Sequence, residues 1–519
     1  MSSDRTVSRR AILKGAAIGG GALLLDRVGL ASTLEASPPT TNVAAYVLPS
    51  APGVEIASIL TVGDAAENGY RMVGIPDGLG AIGNGRTFSL FMNHELTASA
   101  GSSGPGIARA HGNSGAFVSK WTIDRNTLRV LAGEDLTPSP SHVRLWNSAT
   151  QQYQVMTTTW DRLCSADLPD EKALRHGNRG TSERIFLNGE EVNFGRAWAR
   201  IVTGEHEGEA WELPRLGKMS FENVVACPHG KDQTIVALFD DGDLNTAAPA
   251  ANNPSEVYIY IGSKQTQGNE IERAGLTNGK LYGVKVFLGD THVTEESNDF
   301  GLGSAATGFV GSGRFELVEL GSDGDVSAFS GLQLSQDSIA KGIFRMLRPE
   351  DGAWDPRGNG KDALYFVTTA SISPLRNSRL WRLEFDDITR PQEGGRIEIL
   401  LTNTPGRMFD NITIDRLGRV LLQEDTGNNS WVAKIWAYGI DTGALIEVAH
   451  HDPELFETGV NPAKFITVDE ESSGIIDAQQ IFGEGWFLFV VQSHAVKSDL
   501  ELVQDGQLLR MYVPPQIAR

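Results

Sequence analysis

Apolar runs of about five residues, broken by Gly- and Asp-rich turns, recur along most of the chain. One phrase returns: an acidic or polar residue, an apolar run, a tight turn, then a second apolar run. It reads Trp121-Thr122-Ile123-Asp124 before Leu128–Leu131, and Asn223–Cys227 before Ile235–Phe239. It returns as Ala353-Trp354-Asp355 before Ala363–Thr368, as Asn411–Asp415 before Val420–Leu422, and as Ala478–Phe482 before Trp486–Val491. Each copy predicts a strand, a turn and a second strand. The runs are continuous rather than alternating, which suits strands buried on both faces. The copies near 350, 411 and 478 lie about 60–65 residues apart, a spacing that suits the blades of a propeller. The pattern predicts an all-β fold, a six-bladed β-propeller with inserted loops and short helices. Segments 133–215 and 263–340 read as insertions rather than blades.

The N-terminus breaks this pattern. Ser8-Arg9-Arg10-Ala11-Ile12-Leu13-Lys14 precedes a short Gly/Ala-rich apolar stretch ending at Leu25. A basic pair followed by an apolar stretch too short to span a bilayer predicts a removable export signal of the twin-arginine kind. Cleavage is expected after Ala31 or Ala36. Residues 1–36 are thus read as the signal and 37–519 as one propeller domain, exported to the periplasm or secreted, with no membrane anchor after cleavage. The twin-arginine export machinery is the implied partner. That route carries folded proteins, so it suits a chain that takes up metals before leaving the cytoplasm.

The formal charge of −20 argues against nucleic acid and anionic membranes as partners. Two cysteines, Cys164 and Cys227, exclude a disulfide framework. Cys164 stands in a polar stretch, Arg162-Leu163-Cys164-Ser165-Ala166-Asp167, which favours a ligand or reactive role; Cys227 lies in an apolar strand and reads as core.

Polar residues gather at the ends of the predicted inner strands. They include Glu222, Asp240-Asp241, Arg348, Glu350-Asp351, Asp410-Asn411, Gln423-Glu424-Asp425, Glu470-Glu471 and Gln492-Ser493-His494. Asp at a strand end is ordinary turn chemistry, and Asp124, Asp355 and Asp415 are assigned to turns. Glu222, Glu350 and Glu471 stand before strands, where no turn requires them. In a propeller such positions converge on one channel. A ring of carboxylates with a thiol, one or two histidines and an arginine reads as a multi-metal site, oxygen ligands suiting Ca²⁺ and a thiolate suiting a transition metal.

In the order of these residues the chain resembles the PhoX-type alkaline phosphatases. The resemblance is carried by Asn93-His94-Glu95, Cys164 with Glu190-Glu191, Gly217–Glu222, Asp240-Asp241, Arg348-Pro349-Glu350, Asp410-Asn411-Ile412 and Gln492-Ser493-His494. It implies a six-bladed propeller with an iron and calcium cluster, Ca²⁺ and Fe³⁺, held by carboxylates and one cysteine. Carried over, it makes Cys164, Glu190, Glu222 and Glu350 metal ligands, with Asp240, Asp241 and Glu95 as further candidates. Arg348 would hold the phosphate, a planar fork suiting its oxygens. The second phosphate-binding arginine has no plain counterpart, and Lys464 stands as its candidate. The implied activity is hydrolysis of a small-molecule phosphate monoester by a monomeric enzyme. His94 and His494 are candidates to protonate the leaving group, each read first as structural. Two alternatives keep the propeller: a calcium-dependent lactonase or phosphotriesterase without a thiolate ligand, and a non-enzymatic periplasmic binding protein.

Overall fold

The computed structural model describes residues 40–242, 254–296, 311–358, 360–370, 378–402 and 404–519. The predicted export signal lies outside the described residues. The chain divides into units Met1–Ser37 and Pro38–Arg519, and every described residue belongs to the second.

Among the described residues, six mainly antiparallel groups of strands, here called sheets I to VI, follow one another along the chain, III and IV being continuous through one shared strand. Each begins with an inner strand: Pro76–Asn84 in sheet I, Leu163–Asp167 in II, Phe221–Ala226 in III, Pro349–Trp354 in IV, Phe409–Ile414 in V and Glu470–Asp477 in VI. Each inner strand adjoins the next, and the sixth adjoins the first. The second strands are Thr87–His94, Ile185–Glu190, Gln233–Asp240, Ala363–Thr368, Arg419–Glu424 and Trp486–Val496. The last strand of the chain, Gln504–Tyr512, pairs with Glu55–Thr61, so the fourth strand of sheet VI comes from the beginning of the described chain. Ser312–Glu319 pairs with Lys280–Leu288 of sheet III and Gly395–Leu401 of sheet IV, joining their outer edges.

The continuous apolar runs have the predicted cause. Phe487, Phe489 and Val491 pack with Leu421, Ile435 and Ala437 of sheet V, while Leu488 and Val490, on the opposite face, pack with Phe88, Leu90 and Met92 of sheet I. Comparable apolar layers separate I from II, II from III, III from IV and IV from V. The helices are short, the longest described being Gly331–Lys341, closed by a Ser330/Gln333 capping box and a left-handed Gly342. Among the described residues no helix is long and apolar enough to cross a membrane.

Four sequence assignments are corrected. Segment 133–215 is not an insertion, since it holds the whole of sheet II. The phrase at 121–131 belongs to the third and fourth strands of sheet I, and Gln479–Phe482 is a helical turn after the inner strand of sheet VI. Segment 263–340 contributes Lys280–Leu288 as the fourth strand of sheet III.

Candidate metal centre

The same position recurs in every sheet. The second residue of each inner strand is Asp77, Cys164, Glu222, Glu350, Asp410 or Glu471. A second tier follows from the neighbouring strand. The residue just past the end of the second strand is Glu95, Glu191, Asp241 or Asp425 in sheets I, II, III and V. Because the inner strands adjoin, these side chains meet at one end of the ring. Ligand atoms within 4.8 Å of one another link Asp77, Glu95 and Cys164; Cys164, Glu191 and Glu222; Glu222, Glu350 and Asp410; and Asp410, Asp425 and Glu471. The four groups share members and form one continuous cluster.

Local backbone geometry sets the aim of these side chains. Ile75, Arg162, Arg348 and Met408 have positive φ, each two residues before a cluster residue. Register shifts interrupt the pairing of five inner strands with their neighbours close to the cluster residue or just beyond it. A left-handed residue followed by a bulge re-aims the side chain that would otherwise lie flat along the strand.

Period-two alternation explains which member of each acidic pair reaches the cluster. Glu190 ends its strand facing away: it accepts hydrogen bonds from Arg196 Nε (2.6 Å) and Nη2 (2.9 Å) and from Trp198 Nε1 (3.3 Å). Glu191, one residue on, accepts from the Cys164 thiol at 2.6 Å. The structure thus places Glu191, and not the expected Glu190, at the cluster. Asp240 likewise turns aside to the Ser220 backbone, and Asp241 is the one at the site. Asp77 completes the ring and was not singled out in sequence. Its signal was Ile75-Pro76-Asp77, which repeats the spacing of Arg348-Pro349-Glu350.

Two guanidiniums stand over the carboxylates. Arg348 grips Asp241 through Nε (3.0 Å) and Nη2 (2.8 Å), and Nη2 lies 2.7 Å from Glu350. Arg162 places Nη2 2.6 Å from Glu95 and 2.5 Å from Glu191. The arginine side chains are 24% and 40% exposed, while Glu350, Glu191 and Glu95 are 2–10% exposed. The cations thus sit on the solvent side. Arg162 was not recognised in sequence as a charged partner of the site. Lys464, the candidate second cation, pairs instead with Glu454 on the exposed surface.

Nine carboxyls (Asp77, Glu95, Glu191, Glu222, Asp241, Glu350, Asp410, Asp425 and Glu471) face two guanidiniums. Burial, then mutual repulsion, pushes Asp77, Glu222, Asp410 and Glu471 well above the usual carboxylate range. Glu350 rises likewise, chiefly through burial and against the pull of Arg348. Glu191 is pushed up to about 7, burial outweighing Arg162. Burial opposes ionisation of Glu95 too, but Arg162 and Gln492 prevail and hold its carboxyl below the ordinary value. Burial and three nearby carboxylates raise the Cys164 thiol. A donor set this rich in oxygen, with a single sulfur, fits several multivalent cations. The buried Gln492 Oε1 has no hydrogen-bond partner, while its Nε2 donates to Asp77 and Glu95 at 3.0 Å each.

The remaining candidates fall around the cluster. His94 is enclosed, stacked on Phe117 at 4.2 Å and 2.8 Å from Ser119 Oγ, and burial pulls its pKa down to about 3. His494 lies nearer the opening, with Nε2 3.8 Å from Glu471. Below the cluster, Asn411 Oδ1 accepts from Ser165, Ser473 and the Gly474 amide, closing the axis. A separate cavity of about 240 Å³ opens at the other end, with Asp167, Asp351, Trp354, Arg416 and Asp477 among its walls.

Fold and site together define a propeller-like β protein with a carboxylate and thiol cluster at one end of its axis. No family model matches the chain, and no curated protein matches it by sequence. Among solved structures, PhoX of Pseudomonas fluorescens in complex with vanadate, a transition state analogue, aligns over 90% of this chain and 98% of its own, with a TM-score of 0.59 and 12% identity. At that identity the likeness is one of fold. An α-L-arabinofuranosidase of Fusarium graminearum (TM-score 0.38, 8% identity, 88% of this chain and 97% of its own) is too remote to carry an argument. The same holds for a Trypanosoma rangeli sialidase (0.32, 11%, 90% and 59%).

Proposed function

We propose that the chain is an exported six-bladed propeller enzyme that hydrolyses phosphate monoesters at a calcium- and iron-type cluster. The observation that carries this reading is the convergence of one acidic or thiol side chain from each of the six inner strands. The fold shared with the vanadate-bound phosphatase supports it, as does the twin-arginine pattern at Arg9-Arg10.

Asp77, Cys164, Glu191, Glu222, Glu350, Asp410, Asp425 and Glu471 would hold the ions, with Glu95 and Asp241 at the rim. When bound, the metals supply positive charge and Lewis-acid activation. The residues of the chain do the rest. Arg348, part-exposed above the carboxylates, binds the phosphoryl oxygens and steadies charge as it develops on them. Asp241 and Glu350 hold the guanidinium in orientation. Gln492 spaces Asp77 from Glu95 by donating to both. His94, neutral and enclosed, holds the strand end and donates no proton to substrate. His494, near the opening, is the imidazole positioned to give a proton to a leaving alkoxide.

The test is elemental analysis of protein purified without added metal, followed by turnover of a phosphate monoester before and after chelation. The reading expects iron and calcium together, with activity lost on stripping and regained on reloading. Bound calcium alone with lactone turnover, or no bound metal and no turnover, would replace it.

A further inference from the structure

Arg200 lies in the third strand of sheet II, Gly195–Ile201, and is fully buried beside the apolar layer that separates sheets I and II. Arg419 and Arg379, buried about as deeply, each face a carboxylate at 2.8 Å, Asp415 and Glu296. Among the described residues Arg200 has no carboxylate at ion-pair distance. Glu190, the carboxylate whose charge bears on it, is gripped by Arg196 at 2.6 Å. Burial pulls the Arg200 pKa down to about 9, and a buried charge without a counter-charge is costly.

What surrounds Arg200 is mostly aromatic. Its Cζ lies 4.1 Å from the centre of the Trp160 ring and 6.0 Å from that of Trp198. Ring faces attract a guanidinium but leave its in-plane N–H groups to find other acceptors. Nε donates to Asn188 Oδ1 at 3.3 Å and Nη1 to Thr137 Oγ1 at 3.5 Å, while Nη2 has no hydrogen-bond partner. Trp160 Nε1 and His111 Nε2 have none either, and the His111 ring lies 4.3 Å from that of Trp160. Arg109, two residues before His111, adds the orphan atoms Nε and Nη2. Burial and the charges of Arg200 and Arg109 pull the His111 pKa down to about 4, so this region already holds an excess of positive charge. At Gln423 and Glu470 the buried orphan atoms include acceptors, which water satisfies as readily as donors. Here four of the five can only donate, because guanidinium and indole nitrogens accept nothing.

We propose that Arg200, Trp160 and His111 enclose an interior halide site, filled by chloride and supported by the charge of Arg109. Each of the three offers one free nitrogen rather than a fork. That arrangement suits a spherical monovalent ion and would leave the several oxygens of an oxyanion unpaired. The site also connects to the cluster. Arg200 Nε donates to Asn188, Asn188 Nδ2 donates to Asn93 Oδ1 at 2.9 Å, and Asn93 Nδ2 donates to the Cys164 carbonyl at 2.6 Å. An ion that fixes Arg200 therefore steadies a chain ending on the backbone of the cluster cysteine.

The test does not depend on turnover. Full-length protein in sodium gluconate is titrated with sodium chloride at constant ionic strength, and a crystal is grown in sodium bromide. Chloride should raise the denaturant midpoint, and once the site fills the unfolding constant should fall about tenfold for each tenfold rise in chloride. The bromide crystal should show anomalous scattering within hydrogen-bond reach of Arg200 Nη2 and Trp160 Nε1. Arg200→Met should abolish the chloride response. Trp160→Phe, which keeps a ring and removes one donor, should move that response to about tenfold higher chloride, and it serves if the methionine variant fails to fold. Equal midpoints in chloride and gluconate, or water in place of bromide at these nitrogens, would overturn the proposal. So would a chloride response that both variants keep unchanged.

Discussion

Glu190 and Glu191 are adjacent and chemically identical, yet the structure gives them unrelated work. Glu190→Gln keeps the shape but removes the charge from a nearly enclosed ion pair, its side chain 4% exposed and that of Arg196 22%. Breaking a buried pair by loss of one partner costs about 3–5 kcal/mol, and hydrogen bonds to a charged group contribute about 1.5–3. Water reaches Arg196 in part, and the amide oxygen can still accept one N–H. The expected loss is therefore about 2–3 kcal/mol, with metal content intact. Glu191→Gln should behave in the opposite way. Its carboxyl, raised to about 7, is mostly protonated at pH 6, so an amide is close to isosteric and isoelectronic there. The Cys164 thiol can donate to the amide oxygen as it does to the acid. At pH 6 the stripped Glu191→Gln protein should match the wild type within about 1 kcal/mol, yet reload less metal. Denaturant midpoints and elemental analysis on both variants decide the matter. A Glu190→Gln protein that loses metal, beside a Glu191→Gln protein that keeps it, would refute the alternation argument.

Cys164→Ser should lose transition metal while staying folded, because a hydroxyl is a harder and weaker ligand. Cys227→Ser, inside the apolar layer between sheets III and IV, should cost about 1 kcal/mol and leave the metals alone, as thermal unfolding with elemental analysis would show. Stability of the stripped protein should fall as pH rises from 6.5 to 8. Burial holds Asp167, Asp351 and Glu424 at about 7 and Glu470 at about 8. A carboxyl raised in the folded state stabilises below its unfolded value and loses that contribution as pH climbs through the folded one, by up to about 1.4 kcal/mol per unit for each group. His94 and His451, both lowered to about 3 by burial, act oppositely but only below about 6.5, the unfolded histidine value. A denaturant midpoint that rises across 6.5 to 8 would contradict this assignment.

Strands buried on both faces announced themselves, as Trp486–Val491 and Ile235–Phe239 do, because nothing polar interrupts them. The inner strand of sheet I did not. Its sequence, Pro76-Asp77-Gly78-Leu79-Gly80-Ala81-Ile82-Gly83-Asn84, is rich in glycine because neighbouring backbone comes close: a Cβ on Gly78 would lie 2.4 Å from the Ala166 nitrogen. Such a strand carries little apolar signal, so the start of sheet I read two strands too late. At the site, Glu222, Glu350 and Glu471 were legible as acids where no turn asked for them. The choice within Glu190-Glu191 depends on strand alternation and a register shift between Asn188 and Glu190, neither of which is written in residue type. Arg162 escaped notice because its partners, Glu95 and Glu191, are distant in sequence.

The pairing of Gln504–Tyr512 with Glu55–Thr61 makes the cluster sensitive to the history of the chain. Asp77 is synthesised early and Glu471 late, and the ring of cluster residues closes only when the inner strands of sheets I and VI, which carry them, adjoin. The final strand bears none of the candidate ligands, yet it is the one that fastens the last sheet to Glu55–Thr61, near the start of the described fold. A contact spanning nearly the whole sequence forms slowly and after local ones. An ion arriving earlier meets an incomplete ring of ligands. Occupancy of the cluster would then act as a mark of completion, separating finished molecules from those still open at the seam.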